Sequence, residues 1–234
     1  MFLAKNRPFR RESLCFTNCL AKPISPKNTV IAFDLHNVVF KKKYQEMAGL
    51  MLKNLRISYL PHLLNPKFWH KIYKLQTQTQ VAEDLFKRLT DNYPSIANLR
   101  NEFISLTNAQ KPIKPTVELI KELKNQGYKL YILSNIGQDT LIELKQKFPE
   151  ILDLFDGAFP ARPDNNYCQK PDPLFYEQFK QYLTKQGESD KQILFIDDLK
   201  INVVAASKNN IGGIRFTSGK RLRSIFNDLN LFRN

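Results

Sequence analysis

Four separated places in the sequence carry side chains that suit phosphate and metal chemistry. Asp34, Ser134 and Asp197-Asp198 each stand at the end of an apolar run, and Lys170 precedes a proline. Carboxylates brought together repel one another, so a hard cation is expected among them. Mg²⁺ fits best, because it accepts a few carboxylate oxygens together with waters and substrate phosphate. The lysine ammonium and the serine hydroxyl would hold the remaining phosphate oxygens, so the pattern predicts a Mg²⁺ and phosphate site if the fold gathers these residues.

The apolar runs before these residues are typical of buried parallel strands. Strands are predicted over residues 29–33, 128–133 and 192–196, with a weaker one over 213–217 and a minor one at 158–159. Helices are predicted between them, over 116–126, from Pro173 with Asp172 as the N-cap, over 201–208 and over 220–231. Strand–helix alternation predicts an α/β fold with a Rossmann-like, doubly wound parallel sheet. Ligands bind at the carboxyl ends of such strands, so the candidate residues should meet at one edge.

Residues 41–113 interrupt this alternation. They contain no convincing strand, several helical patterns and turns at Pro61, Pro66 and Pro94. An interval of this length between two neighbouring strands is too long for a plain loop. We therefore expect a small, mostly α-helical subdomain over 41–113, inserted into a core domain formed by 29–40 and 114–234.

The first 28 residues form a basic leader in which Glu12 is the single acidic side chain. The leader lacks the continuous apolar segment of a secretory signal, and a partly disordered tail is favoured over an organelle transit peptide. Three cysteines without a Cys-x-x-Cys pair argue against a disulfide framework or a structural zinc site. A reducing compartment, the cytoplasm, is the simplest interpretation.

Composition places the chain among globular proteins. Of its 234 residues 42% are apolar and 25% charged, and no apolar run reaches the length of a membrane span. The net charge of +14 favours anionic partners. The basic and aromatic residues over 67–74 could contact nucleic acid, but their helical spacing favours an ordinary amphipathic helix, so a nucleic-acid partner is not expected. Lys41, Lys42 and Lys43 could attract an anionic substrate or be a solvated charge run.

Taken together, the Asp-led loop after the first strand, the serine, the lysine and the acidic pair resemble the motifs of the haloacid dehalogenase-like hydrolase superfamily. The resemblance extends from about Thr29 to Thr217, with the helical interval in the family's usual cap position. It implies that Asp34 is a nucleophile that forms an aspartyl-phosphate. It also implies that Ser134 and the backbone amide of Asn135 grip the phosphoryl group, and that Lys170 neutralises charge.

The same resemblance implies how Mg²⁺ would be bound. Asp34 and the backbone carbonyl of His36 would be ligands. Asp198 would be the direct ligand of the acidic pair and Asp197 would bind through water, although the reverse order is also open. The cofactor implied is Mg²⁺, and the partner implied is a small phosphorylated substrate.

The sequence departs from the family at His36. Active phosphatases of the group mostly carry a second aspartate two positions after the nucleophile, as general acid and base, and Asn37 replaces the common glycine. His36 could act as the acid and base, it could be a spectator in a slow phosphatase, or the chain could have lost turnover. A nearby Mg²⁺ disfavours imidazolium, so we favour an active enzyme with weakened acid assistance.

The sequence thus predicts a Mg²⁺-dependent phosphomonoester hydrolase that acts through Asp34. The alternative is a catalytically silent protein of the same fold that binds a phosphorylated ligand. A dehalogenase is disfavoured, because abundant lysine near the first motif suits phosphate better.

Overall fold

The computed structural model describes residues 15–42, 64–68, 70–71, 82–100, 110–162 and 165–232. The strands in this part of the chain are β1 Cys15–Phe16, β2 Thr29–Phe33, β3 Phe40–Lys42, β4 Gln110–Pro112, β5 Lys129–Gly137, β6 Gly157–Ala161, β7 Gln192–Asp197 and β8 Gly212–Arg215. The α-helices are α1 Ala82–Asn92, α2 Lys114–Asn125, α3 Gln138–Lys147, α4 Pro149–Leu152, α5 Pro173–Lys185, α6 Lys200–Lys208 and α7 Gly219–Asp228. A 3₁₀ helix spans Pro94–Leu99.

The central sheet has the order β1-β8-β7-β2-β5-β6. Five strands, from β8 to β6, run parallel, and β1 pairs antiparallel with β8 at one edge. The crossovers between parallel strands are helical, as the alternation in the sequence predicts. The predicted α/β, Rossmann-like parallel sheet is therefore confirmed.

Helices cover both faces of the sheet, because β2, β5 and β7 bury the side chains of both faces. On one face, Ile31 and Phe33 of β2 share a core cluster with residues of α2, α3 and α7. On the other face, Val30 and Ala32 of β2 pack with residues of α5 and α6. This two-sided burial explains why β2 is an uninterrupted run of Thr, Val, Ile, Ala and Phe, rather than an alternating pattern.

The helix signals agree with the structure where capping residues define an end. Asp172 is the N-cap of α5, and its carboxylate accepts a 2.9 Å hydrogen bond from the amide of Leu174. Pro173 takes the first helical position, where its missing N–H costs nothing. At the start of α7 the Ser218 hydroxyl accepts from the amide of Arg221 at 3.2 Å.

The structured chain begins earlier than residue 28, where the sequence placed the end of the leader. Residues 15–16 form β1, and Ile24 lies in the core cluster beneath α2. A side-chain Cβ added at Gly212 would lie 2.8 Å from Leu20, so this glycine allows the segment to pass close over β8. Residues 1–14 lie outside the described part of the chain.

The predicted cap interval begins and ends on a two-stranded antiparallel ribbon, which the sequence analysis did not predict. In this ribbon Phe40 of β3 lies opposite Pro112 of β4, and Lys41 lies opposite Lys111. Each strand of the ribbon has three residues and is defined by its pairing with the other strand, so its pattern is too short to recognise in the sequence. Between them the structure describes α1, the 3₁₀ helix and helical residues at 66–68 and 70–71.

The described part of the expected amphipathic helix agrees with that expectation. Phe68 is buried and forms an edge-on contact with Tyr93, with ring centroids 5.1 Å apart, while Lys67 and His70 are exposed. Within the interval, residues 43–63, 69, 72–81 and 101–109, which include Lys43 and His62, lie outside the described residues. Among the described helices, none combines the length and the apolar character that crossing a membrane requires.

Candidate active site

Asp34 lies directly after β2, at the carboxyl edge of the sheet. Its backbone amide donates to the carbonyl of Ile196 at 2.9 Å, which ties the residue to the end of the neighbouring strand β7. Its side chain is largely buried yet lies within reach of charged groups from two other loops. The rigid centre of the sheet therefore holds this carboxylate in place.

Lys170 lies between two carboxylates and is 1% exposed in its side chain. Its Nζ is 3.1 Å from Oδ1 of Asp34 and 2.7 Å from Oδ2 of Asp197. Nζ also donates to the backbone carbonyl of Leu133 at 2.9 Å and lies 4.9 Å from the ring centroid of Phe195. Lys170 therefore forms ion pairs with two of the predicted acidic residues, Asp34 and Asp197.

Asn135 holds the backbone of Lys170 through two hydrogen bonds. The Asn135 Nδ2 donates to the carbonyl of Lys170 at 2.8 Å, and its Oδ1 accepts from the amide of Lys170 at 2.8 Å. The sequence analysis assigned Asn135 a role through its backbone amide. The structure adds a side-chain role, which is to fix the loop that presents the lysine.

Ser134 ends the apolar part of β5 and is 1% exposed. It lies at a local irregularity of the sheet, because the register of β5 against β6 shifts between Leu133 and Gly137. The Ser134 hydroxyl makes no hydrogen bond to another residue in the described part of the chain. A buried hydroxyl with unused bonding capacity suits a phosphate oxygen as its partner.

The two residues of the acidic pair have different surroundings. Asp197 is fully buried, and both of its oxygens already accept protein hydrogen bonds: Oδ1 from the Leu199 amide at 2.7 Å and Oδ2 from Lys170 at 2.7 Å. The side-chain amide of Asn202 donates to both Asp197 oxygens, at 3.1 and 3.0 Å. Asp198 is half-buried, and its Oδ2 accepts a 3.0 Å hydrogen bond from Asn37. Asp198 therefore keeps more free acceptor capacity than Asp197.

Three carboxylates gather at this edge of the sheet. Asp34, Asp197 and Asp198 each offer an oxygen within 4.8 Å of the others, so a single ion could be held between them. Among the described residues, the Lys170 ammonium is the one that lies between carboxylates of this set, so these four groups, when all are charged, leave a surplus of two negative charges. A divalent cation with oxygen ligands fits both the donor set and the charge.

Burial and charge shift the proton affinities in opposite ways. Burial lowers the pKa of Lys170, but the carboxylates of Asp197 and Asp34 outweigh this effect, and the pKa lies above its usual value. Burial raises the pKa of Asp197, with the Lys170 ammonium opposing it and the Asp34 carboxylate adding to it. Burial also raises the pKa of Asp198, against the hydrogen bond from Asn37. The pKa values of both acids therefore lie above the ordinary value of an aspartate.

The structure adds three residues that the sequence analysis did not assign to the site. Asn37 and Asn202 donate to the acidic pair, and the Tyr176 hydroxyl donates to the carbonyl of Asn202 at 2.8 Å. Asn37 stands where the family commonly has glycine, which was the available signal for it. The partners of Asn202 and Tyr176 lie on other elements, so spacing along the chain contains no signal for them.

Other residues that the sequence analysis considered lie as follows. His36 is half-buried, and its backbone bridges to Phe40 at the start of the ribbon. Burial raises the pKa of the thiols of Cys19 and Cys168, so neither is an activated nucleophile. Lys41 and Lys111 are both exposed on the ribbon.

Comparison with known proteins identifies a matching family model, a related phosphatase and solved structures of similar fold. The sequence model of haloacid dehalogenase-like hydrolases matches residues 29–208. The sesquiterpene phosphatase astK of Aspergillus oryzae is 34% identical over 116 residues. That match covers 49% of this chain and 56% of the relative, so the chain spans little more than half of the length of the fungal protein.

Two solved structures illustrate the similarity of fold. The L-2-haloacid dehalogenase of Xanthobacter autotrophicus superimposes with a TM-score of 0.56 at 17% identity, over 79% of this chain and 75% of that chain. A hydrolase from Bacillus subtilis, YfnB bound to magnesium, superimposes with a TM-score of 0.54 at 15% identity, over 86% of this chain and 98% of that chain. Each of these similarities concerns the fold alone.

Proposed function

The chain belongs to the haloacid dehalogenase-like hydrolase family, and within that family we propose that it is a Mg²⁺-dependent phosphomonoester hydrolase. One observation carries the proposal: the Lys170 ammonium lies 3.1 Å from Asp34 and 2.7 Å from Asp197, beside the third carboxylate of Asp198. The phosphatase named among its relatives supports the reaction class. The substrate would be a small phosphorylated molecule.

In this proposal a Mg²⁺ ion is bound by Asp34, Asp198 and the backbone carbonyl of His36. Asp197 is assigned to contact through water, because Lys170, Asn202 and the Leu199 amide already use its oxygens. When bound, the ion would neutralise negative charge on the phosphate oxygens. The magnesium in the Bacillus structure of the same fold is consistent with this assignment.

The reaction has two displacements at phosphorus. An Asp34 carboxylate oxygen attacks the phosphorus of the ester, the bond from phosphorus to the alcohol oxygen breaks, and the alcohol leaves with a proton from solvent or from His36. A water molecule then attacks the same phosphorus, loses its proton, and releases inorganic phosphate and the free carboxylate. Lys170 stabilises the charge that accumulates between Asp34 and the phosphoryl group, and the Ser134 hydroxyl donates to a phosphoryl oxygen.

His36 determines how well the leaving group is protonated. An aspartate is the usual acid at this position in the family, and the histidine found here would donate a proton only as imidazolium, a form that a neighbouring divalent cation disfavours. We therefore propose that turnover persists with weak acid assistance. Phosphates with acidic leaving groups, such as aryl and acyl phosphates, would then react much faster than alkyl phosphates.

The test is a series of phosphate esters with graded leaving groups, assayed with and without Mg²⁺. We expect a steep rise in kcat/KM with leaving-group acidity, and a faster alkyl ester reaction in the His36→Asp variant. Equal rates across the series would contradict the role given to His36. The series should include a sesquiterpenyl monophosphate, because of the name of the Aspergillus relative.

The insert between β3 and β4 completes the proposal. We propose that residues 41–113 act as a cap that closes over the carboxyl edge and selects the substrate. The described part of this interval is helical apart from the ribbon strands that bound it and the residues linking its helices.

A second function is favoured by His36 alone. Without an effective acid and base, the same site would hold a phosphorylated ligand and not cleave it. Tight binding of beryllium fluoride or of a phosphate ester, with no phosphate released from any ester in the series, would support this function over the first.

A further inference from the structure

Asn37 has a backbone conformation that few side chains adopt. Its φ angle is 60°, in the left-handed region, where glycine is at ease and asparagine is among the better tolerated residues. Its amide donates to the carbonyl of Phe40 at 2.7 Å and closes the turn between the nucleophile and the ribbon. Asn37 is exposed in this turn.

The Asn37 side chain, in the turn that follows β2, contacts the acidic pair at the end of β7. Its Nδ2 donates to Oδ2 of Asp198 at 3.0 Å, between residues that are 161 positions apart in the chain. Among the described residues, Asn37 is the one side-chain donor to this carboxylate. Asp197, by contrast, has two side-chain donors and a backbone donor. The orientation of the Asp198 carboxylate therefore depends on Asn37.

We propose that Asn37 is a positioning residue for the cation ligand Asp198. The amide occupies Oδ2 and fixes the rotation of the carboxylate, which leaves Oδ1 as the oxygen for the ion. Carboxylates that bind metals commonly accept such hydrogen bonds, and loss of the donor typically weakens metal binding. The inference rests on the proposed function, since it takes Asp198 as a ligand of the cation.

The chemistry of the side chain explains why asparagine suits this position. Glycine would adopt the same φ angle without strain but would offer no donor to Asp198. Aspartate would also tolerate the turn, but it would add a fourth carboxylate to a cluster that already has a negative surplus. Asparagine supplies an N–H donor and adds no charge.

The experiment is a calorimetric titration of Mg²⁺ into the metal-free protein. We compare the wild type with Asn37→Gly and with Asn210→Gly, a matched control. Asn210 is likewise exposed with a φ angle of 58°, and it follows α6 at the end of the sheet away from the site. We expect a dissociation constant about 10-fold higher for Asn37→Gly and unchanged for Asn210→Gly. The denaturation midpoint of the metal-free Asn37→Gly protein should match that of the wild type.

Activity gives a second measurement. The Mg²⁺ concentration for half-maximal activity should rise about 10-fold in Asn37→Gly, whereas kcat at saturating Mg²⁺ should remain near the wild-type value. A merely structural role would lower the denaturation midpoint and leave the Mg²⁺ affinity unchanged.

Each other outcome overturns a defined claim. If the wild type binds Mg²⁺ and Asn37→Gly binds it equally well, the inference is wrong and the proposed function stands. If both glycine variants weaken binding alike, the effect is not specific to Asp198 and the inference is again wrong. If the wild type binds no Mg²⁺, both this inference and the metal dependence of the proposed function fail.

Discussion

Two charged clusters stand at opposite ends of the central sheet, and their composition is reversed. At the carboxyl edge, one lysine, Lys170, lies between the carboxylates of Asp34 and Asp197. At the amino edge, one carboxylate, Asp156, lies between two lysines. The Asp156 oxygens are 2.6 Å from Nζ of Lys124 and 2.9 Å from Nζ of Lys129.

The clusters also differ in how far their negative charges are balanced by lysines and by hydrogen-bond donors. Asp156 also accepts a 2.9 Å hydrogen bond from the amide of Leu130, and its lysines are partly exposed to water. Partial burial raises its pKa, but the lysines and the Leu130 amide outweigh this effect and lower it. At the other edge, burial and a neighbouring carboxylate raise the pKa of both Asp197 and Asp198. The charge of the carboxylate at the amino edge is balanced by two lysines, whereas the three carboxylates at the carboxyl edge share one lysine among the described residues.

The largest expected difference between the clusters concerns activity. Asp34→Asn removes the proposed nucleophile, so we expect at least a ~10⁴-fold loss of kcat on an aryl phosphate with Mg²⁺. Asp156→Asn should leave kcat within about 2-fold of the wild type, because it lies at the other end of the sheet. Substantial turnover by Asp34→Asn would remove the distinction between the clusters.

Stability should reveal the second difference. Lys170→Met leaves the Asp34 and Asp197 carboxylates close together without their cation, and the free energy of unfolding should fall by about 3–5 kcal/mol. Adding Asp34→Asn to this variant should recover part of the loss, because one of the unpaired charges is removed. Urea denaturation of the single and double variants measures this coupling. A double variant no more stable than Lys170→Met would show that repulsion between the carboxylates is unimportant.

Mg²⁺ should stabilise one cluster and not the other. At a hundredfold excess over the dissociation constant, a bound ion raises the free energy of unfolding by about 2.7 kcal/mol. The wild type and Asp156→Asn should gain this amount, and Asp198→Asn should gain much less. Thermal unfolding with Mg²⁺ and with a chelator provides the measurement. Equal gains in all three proteins would place the ion elsewhere.

The smallest expected effect belongs to Asp156 itself. Asp156→Asn should lower the free energy of unfolding by about 1 kcal/mol at pH 7, since its lysines are partly exposed and screened. The folded-state pKa lies below the ordinary value of about 3.9, so the stabilisation is complete above about pH 4 and is lost as the pH falls through the folded-state pKa. Urea midpoints of the two proteins should converge in acid. A difference that persists at the lowest pH would point to packing instead of charge.

The sheet could be predicted because its strands are buried on both faces. The predicted strands over 29–33 and 192–196 are continuously apolar after their first residue, and the strands observed there begin at the predicted residues. Asp172 and Pro173 locate the start of α5 through local chemistry alone. The strand β1 and the ribbon could not be predicted, because two or three residues become strands only through partners that lie far away in the sequence.

The candidate site shows the same division. Asp34, Ser134, Lys170 and the acidic pair could be chosen, because each stands at the end of an element that the sequence reveals. The structure brings Asp34, Lys170 and Asp197 within hydrogen-bonding distance. Asn202 and Tyr176 could not be chosen, since their roles depend on side-chain directions across the interface of α5 and α6.

The pairing of Phe40 with Pro112 has a consequence for how such a protein can diversify. The chain leaves the core through β3 and rejoins it through β4, and these two paired strands form a stalk at the base of the interval. A graft of different length or sequence at that stalk would leave the strand order and the buried lysine untouched. Evolution could therefore exchange the interval that we propose to recognise the substrate many times while inheriting the same residues at the carboxyl edge of the sheet.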